Sequence, residues 1–441
     1  MMLRALRAVL LSAALASALS GCSGTLDSLG SDGSASAGSA GALGPLRLVN
    51  GPKSYPNAFK TFLNVSDAEV STRLDDAFNQ LFLSTGFEET IYYQWQTSDE
   101  YFIQDVLHGD IRTEGMGLAL IITLELDRQT EFDRLWRYAK AEMLQKNAGP
   151  GRGYYRSRCD DDPITPCLDT YGMQHFALAL ILANRYWANS ASAPGYAEDA
   201  LALLEVLKNG DGTPFDPATH LVREQPMLAA TDYTRTALEM PAAYDLWYQA
   251  TGDVFWRDAA TAARRHLVRS AHGKTGLWPI RSNTSNGAPA SSAGFVSPGY
   301  TAQGYRTQLN LALDAAWGTA GADQAAVADR LLAFFDQASN NHDLTSYGAN
   351  FTVDGALTLD DGVTLDPDAP VPSQALISVN GALVIAASAT TDANRQLRHD
   401  FVNAVWQQDI PSGKNRYYEG LLYMMSMLIM GGQLQVHVPA P

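Results

Sequence analysis

Apolar residues recur along this chain at helical spacing, and the segments that they define are of two kinds. In one kind a single face is apolar, as at Val70, Leu74 and Phe78, which is typical of a surface helix. In the other kind nearly every position is apolar, as from Met116 to Leu126. Such a run is too short to span a bilayer, so it predicts a helix that is buried on all sides.

The two kinds of segment alternate from the capping box of Ser66 and Glu69 to the C-terminus. Helical hairpins whose apolar members pack inward predict an all-α fold, an (α/α)6 barrel of alternating inner and outer helices. Thr130 is expected to cap one outer helix, and Pro241 to kink an inner helix or shift its start. The predicted outer helices are 66–82, 130–143, 196–208, 253–269, 322–339 and 392–406, and the inner helices are 114–126, 172–187, 232–250, 302–317, 373–388 and 418–430.

The loops between these segments differ in length according to their direction. Connections from an inner to an outer helix are mostly short, whereas those from an outer to an inner helix are long and rich in aromatic residues, Gly, Pro and Asp. The long loops would therefore meet above the N-termini of the inner helices, where function usually lies. The polar and aromatic residues that open the inner helices are Glu114, Asp169, Tyr171, Asp232, Tyr233, Gln303, Tyr305, Arg306, Tyr417 and Tyr418.

Aromatic residues crowd the same loops. Sugars present apolar C–H faces and hydroxyl edges, so a cleft of Tyr and Trp with Asp and Arg suits a carbohydrate. Core packing is the alternative for each aromatic residue taken singly. The aromatic residues in the predicted loops are Tyr92, Tyr93, Trp95, Tyr101, Tyr154, Tyr155, Trp278 and Tyr300.

Glu114 is the candidate catalytic carboxylate, because it stands at the front of an almost wholly apolar run from Met116 to Leu126. A carboxylate beside so much apolar surface must be paired, solvated in a cleft or held as an acid with a raised pKa. In the alternative interpretation, Thr113 is an N-cap and the helix dipole favours Glu114. Asp169 and Asp232 are the candidate nearby carboxylates that would raise the pKa of Glu114, each with an alternative role as an N-cap or a hydrogen-bonding loop residue.

Composition limits the function classes. The chain has 441 residues, of which 46% are hydrophobic and 18% charged, enough for a large globular core. Its net charge is -16 with few, scattered Lys and Arg, so no nucleic-acid partner is expected. The eight His are dispersed and no Cys/His set has metal-ligand spacing. We expect a monomer without a metal or another cofactor.

The N-terminus predicts a lipoprotein. Residues 1–21 combine Arg4, Arg7 and an apolar run, as in a signal peptide, and end in Leu-Ser-Gly before Cys22. This ending resembles a bacterial lipobox, so Cys22 is expected to carry lipid; plain secretion with a chance Cys is the alternative. Residues 22–45 form a Ser/Gly/Ala-rich tether, and 46–441 the barrel domain. The expected location is the bacterial outer membrane or cell surface, on the periplasmic or extracellular face.

Two further cysteines, Cys159 and Cys167, lie close together in the sequence. In an oxidising compartment this spacing favours a disulfide that closes one loop, and two free thiols are the alternative.

Three motifs resemble glycoside hydrolase family 8, specifically its xylanase and oligoxylanase branch. They are T-E-G-M-G with E-F-D-R-L-W-R-Y-A-K, then A-T-D-Y-T-R-T-A-L-E-M-P-A-A-Y-D, and I-P-S-G-K-N-R-Y-Y-E-G-L-L-Y-M. The likeness extends from about Asn57 to Val436. It implies an (α/α)6 barrel, cleavage of β-1,4-glycosidic bonds with inversion, and Glu114 as the general acid.

The sequence departs from this family at two acidic positions. The family carries Asp-x-x-Arg at the fourth inner helix, where the Asp is the base; here Arg306 is kept but Gln303 replaces the Asp. A second family Asp, which helps to bind the distorted sugar, is matched by Tyr171, with Asp169 two residues earlier. Inverting hydrolysis needs an acid and a base roughly 6.5–9.5 Å apart, and a neutral amide cannot take up the proton. The remaining candidate bases are Asp232, Asp169, Asp360 and Asp361.

Three functions follow as expectations. The first is a membrane-tethered hydrolase of β-1,4-linked xylan or xylo-oligosaccharides, in which Arg306, Tyr171, Trp95, Tyr233, Trp278, Tyr305, Tyr417 and Tyr418 bind substrate. The second is a non-catalytic, carbohydrate-binding lipoprotein that has lost its base. The third is a hydrolase of β-1,4-glucan or chitosan.

Overall fold

The computed structural model describes residues 55–157, 168, 170–187, 195–224, 226, 231–290, 299–318, 320–358, 373–388 and 390–435. Helices dominate these ranges, as predicted. The helices are α1 (Ala58–Leu63), α2 (Asp67–Phe78), α3 (Thr113–Glu125), α4 (Gln129–Tyr138), α5 (Thr170–Tyr186), α6 (Tyr196–Asn209), α7 (Pro241–Thr251), α8 (Val254–Ser270), α9 (Arg306–Ala316), α10 (Ala322–Ala338), α11 (Gln374–Ala382), α12 (Asp392–Gln407) and α13 (Arg416–Met430).

The apolar helices form the centre of the fold. In chain order α3 contacts α5, α5 contacts α7, α7 contacts α9, α9 contacts α11, α11 contacts α13, and α13 returns to α3. In α3 every residue from Gly115 to Leu124 is buried, which confirms the prediction of a helix enclosed on all sides. This circuit of contacts is consistent with an all-α barrel.

The amphipathic helices pack outside this centre. α4 contacts α3, α6 contacts α5, α8 contacts α7 and α12 contacts α11. α2 begins with the predicted capping box of Ser66 and Glu69 and buries Val70 and Leu74. The predicted cap at Thr130 is wrong, because α4 already begins at Gln129. Among the described residues no helix combines the length and the apolar character that crossing a membrane requires.

Two small antiparallel sheets interrupt the helical pattern, and the sequence did not predict them. The first joins β1 (Tyr92–Gln94), β2 (Tyr101–Asp105) and β3 (Asp110–Ile111) between α2 and α3. The second pairs β4 (Tyr233–Arg235) with β5 (Arg281–Asn283).

Two inner helices begin later than their apolar pattern predicts. α7 begins at Pro241, which has no N–H to lose in a first turn, so Asp232 and Tyr233 lie at β4 rather than in a helix. α9 begins at Arg306, after a 3-10 turn of Ala302–Gly304 that holds Gln303.

Glycines bring α3 and α5 into close contact. A Cβ atom at Gly172 would lie 2.3 Å from the carbonyl carbon of Thr113, and one at Gly117 would lie 2.5 Å from the Cβ of His175. Real Cβ atoms do not approach other atoms so closely, so these positions admit only glycine at this helix spacing. The contact places the first turn of α5 beside the first turn of α3, which carries Glu114.

Candidate active site

Glu114 and Arg306 form an ion pair at the N-terminal ends of α3 and α9. Their side chains are 14% and 7% exposed, respectively. Burial lowers the pKa of the Arg306 guanidinium, but the Glu114 carboxylate more than offsets this, so the net pKa is raised above its usual value. Of the states predicted for Glu114, the structure thus shows the paired one. Thr113 is the first residue of α3 rather than its N-cap, and Arg112, which precedes it, makes no side-chain capping bond.

Tyr171 and His175 line one side of Arg306. The guanidinium carbon of Arg306 lies 4.2 Å from the centroid of the Tyr171 ring, a cation–π contact. The His175 ring lies 4.3 Å from the Tyr171 ring, and its Nδ1–H donates to the Tyr171 carbonyl oxygen over 3.0 Å. Burial, with a smaller contribution from Arg306, lowers the pKa of His175 to about 4. His175 is therefore neutral at neutral pH.

Tyr417 and Tyr418 line the opposite part of the site. A Cβ atom at Gly115 would lie 2.4 Å from the Tyr417 ring, so the glycine makes room for this side chain next to Glu114. The Tyr417 hydroxyl is buried without a hydrogen bond among the described residues, and burial and the Glu114 charge raise its pKa well above the usual value. The Tyr418 hydroxyl donates to the carbonyl oxygen of Ala302, which anchors the turn that contains Gln303.

A second charged group lies at the sheet formed by β4 and β5. Arg281 donates to both carboxylate oxygens of Glu224, from Nε and Nη2, over 2.6 Å each. Arg235 pairs with the same carboxylate. The ring centroid of Tyr233 lies 5.7 Å from the Arg281 guanidinium carbon, and the exposed Asp232 accepts a 3.2 Å hydrogen bond from Asn283.

This second charged group and the Glu114–Arg306 pair belong to adjoining segments. Thr236, next to Arg235, shares a hydrogen bond of 3.2 Å between hydroxyl oxygens with Thr307, next to Arg306. Burial lowers the pKa of Arg235, and the charge of Arg306 contributes to the same direction. The Glu114–Arg306 pair and the group at the β4–β5 sheet therefore interact electrostatically.

Two predicted substrate-binding residues are core residues instead, and these predictions are wrong. Trp278 is fully buried and its indole N–H donates to the Leu267 carbonyl oxygen over 2.8 Å. Tyr305 is fully buried and its hydroxyl donates to the Ala349 carbonyl oxygen over 2.6 Å. Neither side chain has surface left for a ligand, because both pack the long loops onto the helices.

The other aromatic residues in the loops are either partly exposed or buried. Trp95 is partly exposed and packs edge-on against Tyr138, with the ring centroids 5.5 Å apart. Tyr93 and Tyr101 are partly exposed as well, whereas Tyr92, Tyr154, Tyr155 and Tyr300 are buried. The cleft is therefore less aromatic than the loop sequences indicate.

Several predicted residues lie outside the described ranges. Asp169, Asp360, Asp361, Cys22, Cys159 and Cys167 are among them, so their roles stay predictions. Gln303 is partly exposed in its 3-10 turn. In the described part of the chain no three His, Cys, Asp or Glu residues are grouped as metal ligands would be.

Sequence reasoning did not single out two carboxyl groups near the starts of inner helices, the buried Glu239 and the partly buried Glu419. Glu239, before α7, accepts hydrogen bonds of 3.0 Å from the Val222 N–H and the Thr234 hydroxyl, and burial raises its pKa to about 8. Glu419, in α13, accepts a 3.1 Å hydrogen bond from the Gln374 N–H, and burial raises its pKa to about 7. The available signal was an acidic residue inside an apolar motif, the same signal that singled out Glu114.

Known proteins resemble this chain over most of its length in some cases and over about half of it in another. No protein-family model matches the chain. The reducing-end xylose-releasing exo-oligoxylanase Rex8A of Paenibacillus barcinonensis is 29% identical over 395 residues, which cover 87% of this chain and 97% of that protein. A solved structure described as a GH8 xylobiose complex from Teredinibacter turnerae superposes with a TM-score of 0.78 at 26% identity, covering 89% of this chain and 100% of that one. Endoglucanase C of Ruminiclostridium cellulolyticum is 26% identical but matches only 48% of this chain and 45% of its own.

Proposed function

This chain belongs to glycoside hydrolase family 8, and we propose that it hydrolyses β-1,4-linked xylan or xylo-oligosaccharides with inversion, at the end of a closed (α/α)6 barrel. The observation that carries the proposal is the position of Glu114, which lies in the first turn of α3 between Arg306 and the Tyr417 ring. A relative that releases xylose from oligoxylans and a xylobiose-bound neighbour support xylose as the backbone sugar.

In this proposal Glu114 protonates the oxygen of the leaving sugar. An acid must hold a proton before it can donate one, so the ion pair with Arg306 has to open when substrate enters. Tyr417 can interact with Glu114 once that ion pair has opened. Its neutral hydroxyl lies beside Glu114 and has no hydrogen-bond partner among the described residues. Tyr171 keeps the Arg306 guanidinium in place through its ring face.

The base has to be a carboxylate from elsewhere in the chain, because the residue at position 303 is a glutamine. Asp232 is the described candidate: it is exposed beside the β4–β5 sheet, where water can reach it. Gln303 can orient a water molecule through its carbonyl oxygen but cannot accept the proton. Asp169, Asp360 and Asp361 remain candidates on sequence grounds.

The test is sugar release from xylo-oligosaccharides, xylan, β-1,4-glucan and chitosan, beside binding to the same panel. We expect the wild type to release sugar from the xylose polymers. Glu114→Gln should lower kcat by at least the ~10²–10⁴-fold that general acids contribute, with affinity for xylo-oligosaccharides within a few-fold. Glu205→Gln, an exposed carboxylate on the outer helix α6, is the matched control and should leave kcat unchanged. Full activity of Glu114→Gln would show that Glu114 is not the general acid.

A second candidate function is carbohydrate binding without catalysis, and the amide at position 303 favours it. If this substitution is what removed catalysis, Gln303→Asp should raise hydrolysis above background by up to ~10²–10⁴-fold, because Arg306 three residues later favours an ionised base. Gln303→Asn is the control, since it keeps a neutral amide. An active wild type, with Gln303→Asp equal or slower, would exclude this second function.

We also propose that lipid on Cys22 tethers the protein to a membrane facing the periplasm or the exterior. The support is the signal-like residues 1–21 with their Leu-Ser-Gly ending. A disulfide between Cys159 and Cys167 fits the same oxidising location.

A further inference from the structure

Asp105, the last residue of β2, is buried close to the start of α3. Its side chain is 4% exposed, and its Oδ2 atom pairs with Arg112 Nη2 over 2.9 Å and with His108 Nδ1 over 2.8 Å. Its Oδ1 atom accepts hydrogen bonds from the backbone N–H groups of Leu107 and His108, over 3.1 and 3.3 Å. Asp105 therefore ties the turn between β2 and β3 to the residue that precedes α3.

Arg112 is held by a second carboxylate as well. Its Nε and Nη2 atoms donate to the two oxygens of Asp110, over 2.9 and 3.2 Å. Burial lowers the pKa of Arg112, but the hydrogen bonds to Asp110 and the charges of both carboxylates more than offset this, so the net pKa is raised. The positive charge of Arg112 is therefore compensated by Asp105 and Asp110.

These three charges lie beside the candidate general acid, because Arg112 stands two residues before Glu114. Both charges act on the buried hydroxyl of Tyr417: burial is the main cause of its raised pKa, the Glu114 charge raises that pKa further, and the Arg112 charge lowers it. The charge of Asp105 raises the same pKa. The guanidinium of Arg112 is thus close enough to Glu114 to become a second partner for its carboxylate, in addition to Arg306.

Glu224 shows what two arginines do to a carboxylate in this protein. Arg281 and Arg235 both pair with it. Burial raises the pKa of Glu224, but the hydrogen bonds and charges of the two arginines more than offset this, so the net pKa is lowered. A carboxylate held in this way stays an anion, whereas a general acid has to carry a proton.

We propose that Asp105 is a positioning residue that keeps Arg112 away from Glu114, so that the pair with Arg306 is the one that has to open when substrate enters. The inference rests on the proposed function, because it concerns the acid of that reaction. Without the Asp105 charge, Glu114 would compete for the guanidinium with Asp110, whose side chain is 21% exposed and whose pairing is therefore weakened by water.

The remaining groups around Glu114 do not replace Asp105. Burial lowers the pKa of His175 to about 4 and raises the pKa values of Tyr417 and Tyr418, so these three side chains are neutral at neutral pH. Among the described residues, the titratable groups that surround Glu114 from the other inner helices are Arg306 of α9, Tyr417 and Tyr418 of α13, and Tyr171 and His175 of α5.

The experiment measures kcat/KM on xylo-oligosaccharides against pH, since the alkaline limb of this profile reports loss of the proton from the general acid. Asp105→Asn removes the charge but keeps an oxygen for the N–H groups of the turn. We expect its alkaline limb to move by about one pH unit to the acid side, because a nearby arginine favours the anionic form of a carboxylate by at least that much. Arg112→Gln should move the limb to the alkaline side, because the charge of Asp105 is then uncompensated.

A double variant separates this role from a purely structural one. When Asp105→Asn is combined with Arg112→Gln, no guanidinium is left to approach Glu114, so the alkaline limb should return to within about half a pH unit of the wild type. A residue that only stabilised the turn would make the double variant less active than Asp105→Asn at every pH.

Asp216→Asn is the matched control. Asp216 also pairs with an arginine, Arg223, over 2.8 Å and accepts two N–H groups of its own turn over 2.9 Å each, but it lies in the loop after α6. This variant should keep the alkaline limb of the wild type.

Three results would overturn the inference alone, given an active wild type. They are an unmoved alkaline limb in Asp105→Asn, a double variant that keeps the acid-side shift, and, should Asp105→Asn not fold, an Arg112→Gln limb that stays at the wild-type pH or moves to the acid side. A wild type that releases no sugar at any pH would instead overturn the proposed function, and this inference with it.

Discussion

At the scale of single residues, the neighbours of each buried carboxyl group decide its charge. Glu224 is partly buried between two arginines, whose hydrogen bonds and charges outweigh the effect of burial and lower its pKa. Glu239 is fully buried with two neutral donors, and burial raises its pKa to about 8. The two residues lie in the same region of the chain, yet one is an anion and the other is a neutral acid at neutral pH.

Glu239 makes protein stability depend on pH. Its pKa rises from 4.5 to about 8 in the fold, so the stabilisation of its neutral form is fully present below pH 4.5 and is lost as the pH rises through about 8. Glu239→Gln keeps a neutral side chain at every pH. We therefore expect the variant to resemble the wild type at pH 5 and to exceed its stability at pH 9 by on the order of a few kcal/mol.

Thermal unfolding at the two pH values measures this difference. Glu205→Gln, the exposed control on α6, should shift the unfolding temperature equally at both. A wild type whose stability relative to Glu239→Gln is the same at pH 5 and pH 9 would show that Glu239 does not titrate in this range.

At the scale of the helices, small residues determine how closely the N-terminal ends of the inner helices approach. Gly115 accommodates the Tyr417 ring, and Gly172 lies against the Thr113 backbone. The helix starts matter as much, because α7 begins at Pro241 and so leaves the preceding residues free to pair as β4. That strand carries Arg235 to the neighbourhood of Arg306.

Gly172→Ala tests the contact between α3 and α5. The new Cβ would lie 2.3 Å from a backbone atom of Thr113, which cannot rotate away, so the first turn of α3 has to move. We expect a loss of ~1–3 kcal/mol in stability from overpacking, together with weaker ligand binding because Glu114 moves with that turn. Urea unfolding and calorimetry measure the two effects.

Gly273→Ala is the control for this contact. Gly273 is exposed, and a Cβ there meets nothing within 4 Å, so stability and binding should change little. If Gly172→Ala behaved like Gly273→Ala, the close approach of the two helices would have no part in placing Glu114.

At the scale of the whole molecule, the circuit of inner helices gathers side chains from distant parts of the sequence. Glu114 comes from the first inner helix, Arg306 from the fourth and Tyr417 from the sixth, and all three meet at one end. The predicted lipid at Cys22 and the tether of residues 22–45 would hold the N-terminus of the chain near a membrane.

Cys22→Ser tests the tether in the bacterial host. Without the thiol no lipid can be attached, so we expect the protein to move from the membrane fraction to the soluble periplasmic fraction, with hydrolysis and binding by the purified protein unchanged. Cys159→Ser should stay in the membrane fraction and serves as the control. Membrane association of Cys22→Ser equal to that of the wild type would argue against lipidation.

Local patterns were enough to predict most of the helices, although not where α7 and α9 begin. The alternation of one-sided and fully apolar segments predicted the inner and outer helices, because a helix that is apolar all round has to be enclosed by others. The capping box at Ser66 and the acidic first turn of α3 could also be predicted from the sequence, because each depends on residues within one helical turn. The family motifs added the role that we propose for Glu114.

Contacts between residues that are distant in the sequence could be identified only from the tertiary structure. Three features depend on neighbours that lie far along the sequence: the ion pair of Glu114 with Arg306, the burial of Trp278 and Tyr305, and the strand at Tyr233. An aromatic residue in a loop has the same local pattern whether it faces a ligand or the core, and an arginine has the same pattern whether or not its charge is matched. Packing settles such questions, because burial and electrostatic interactions act through space rather than along the chain.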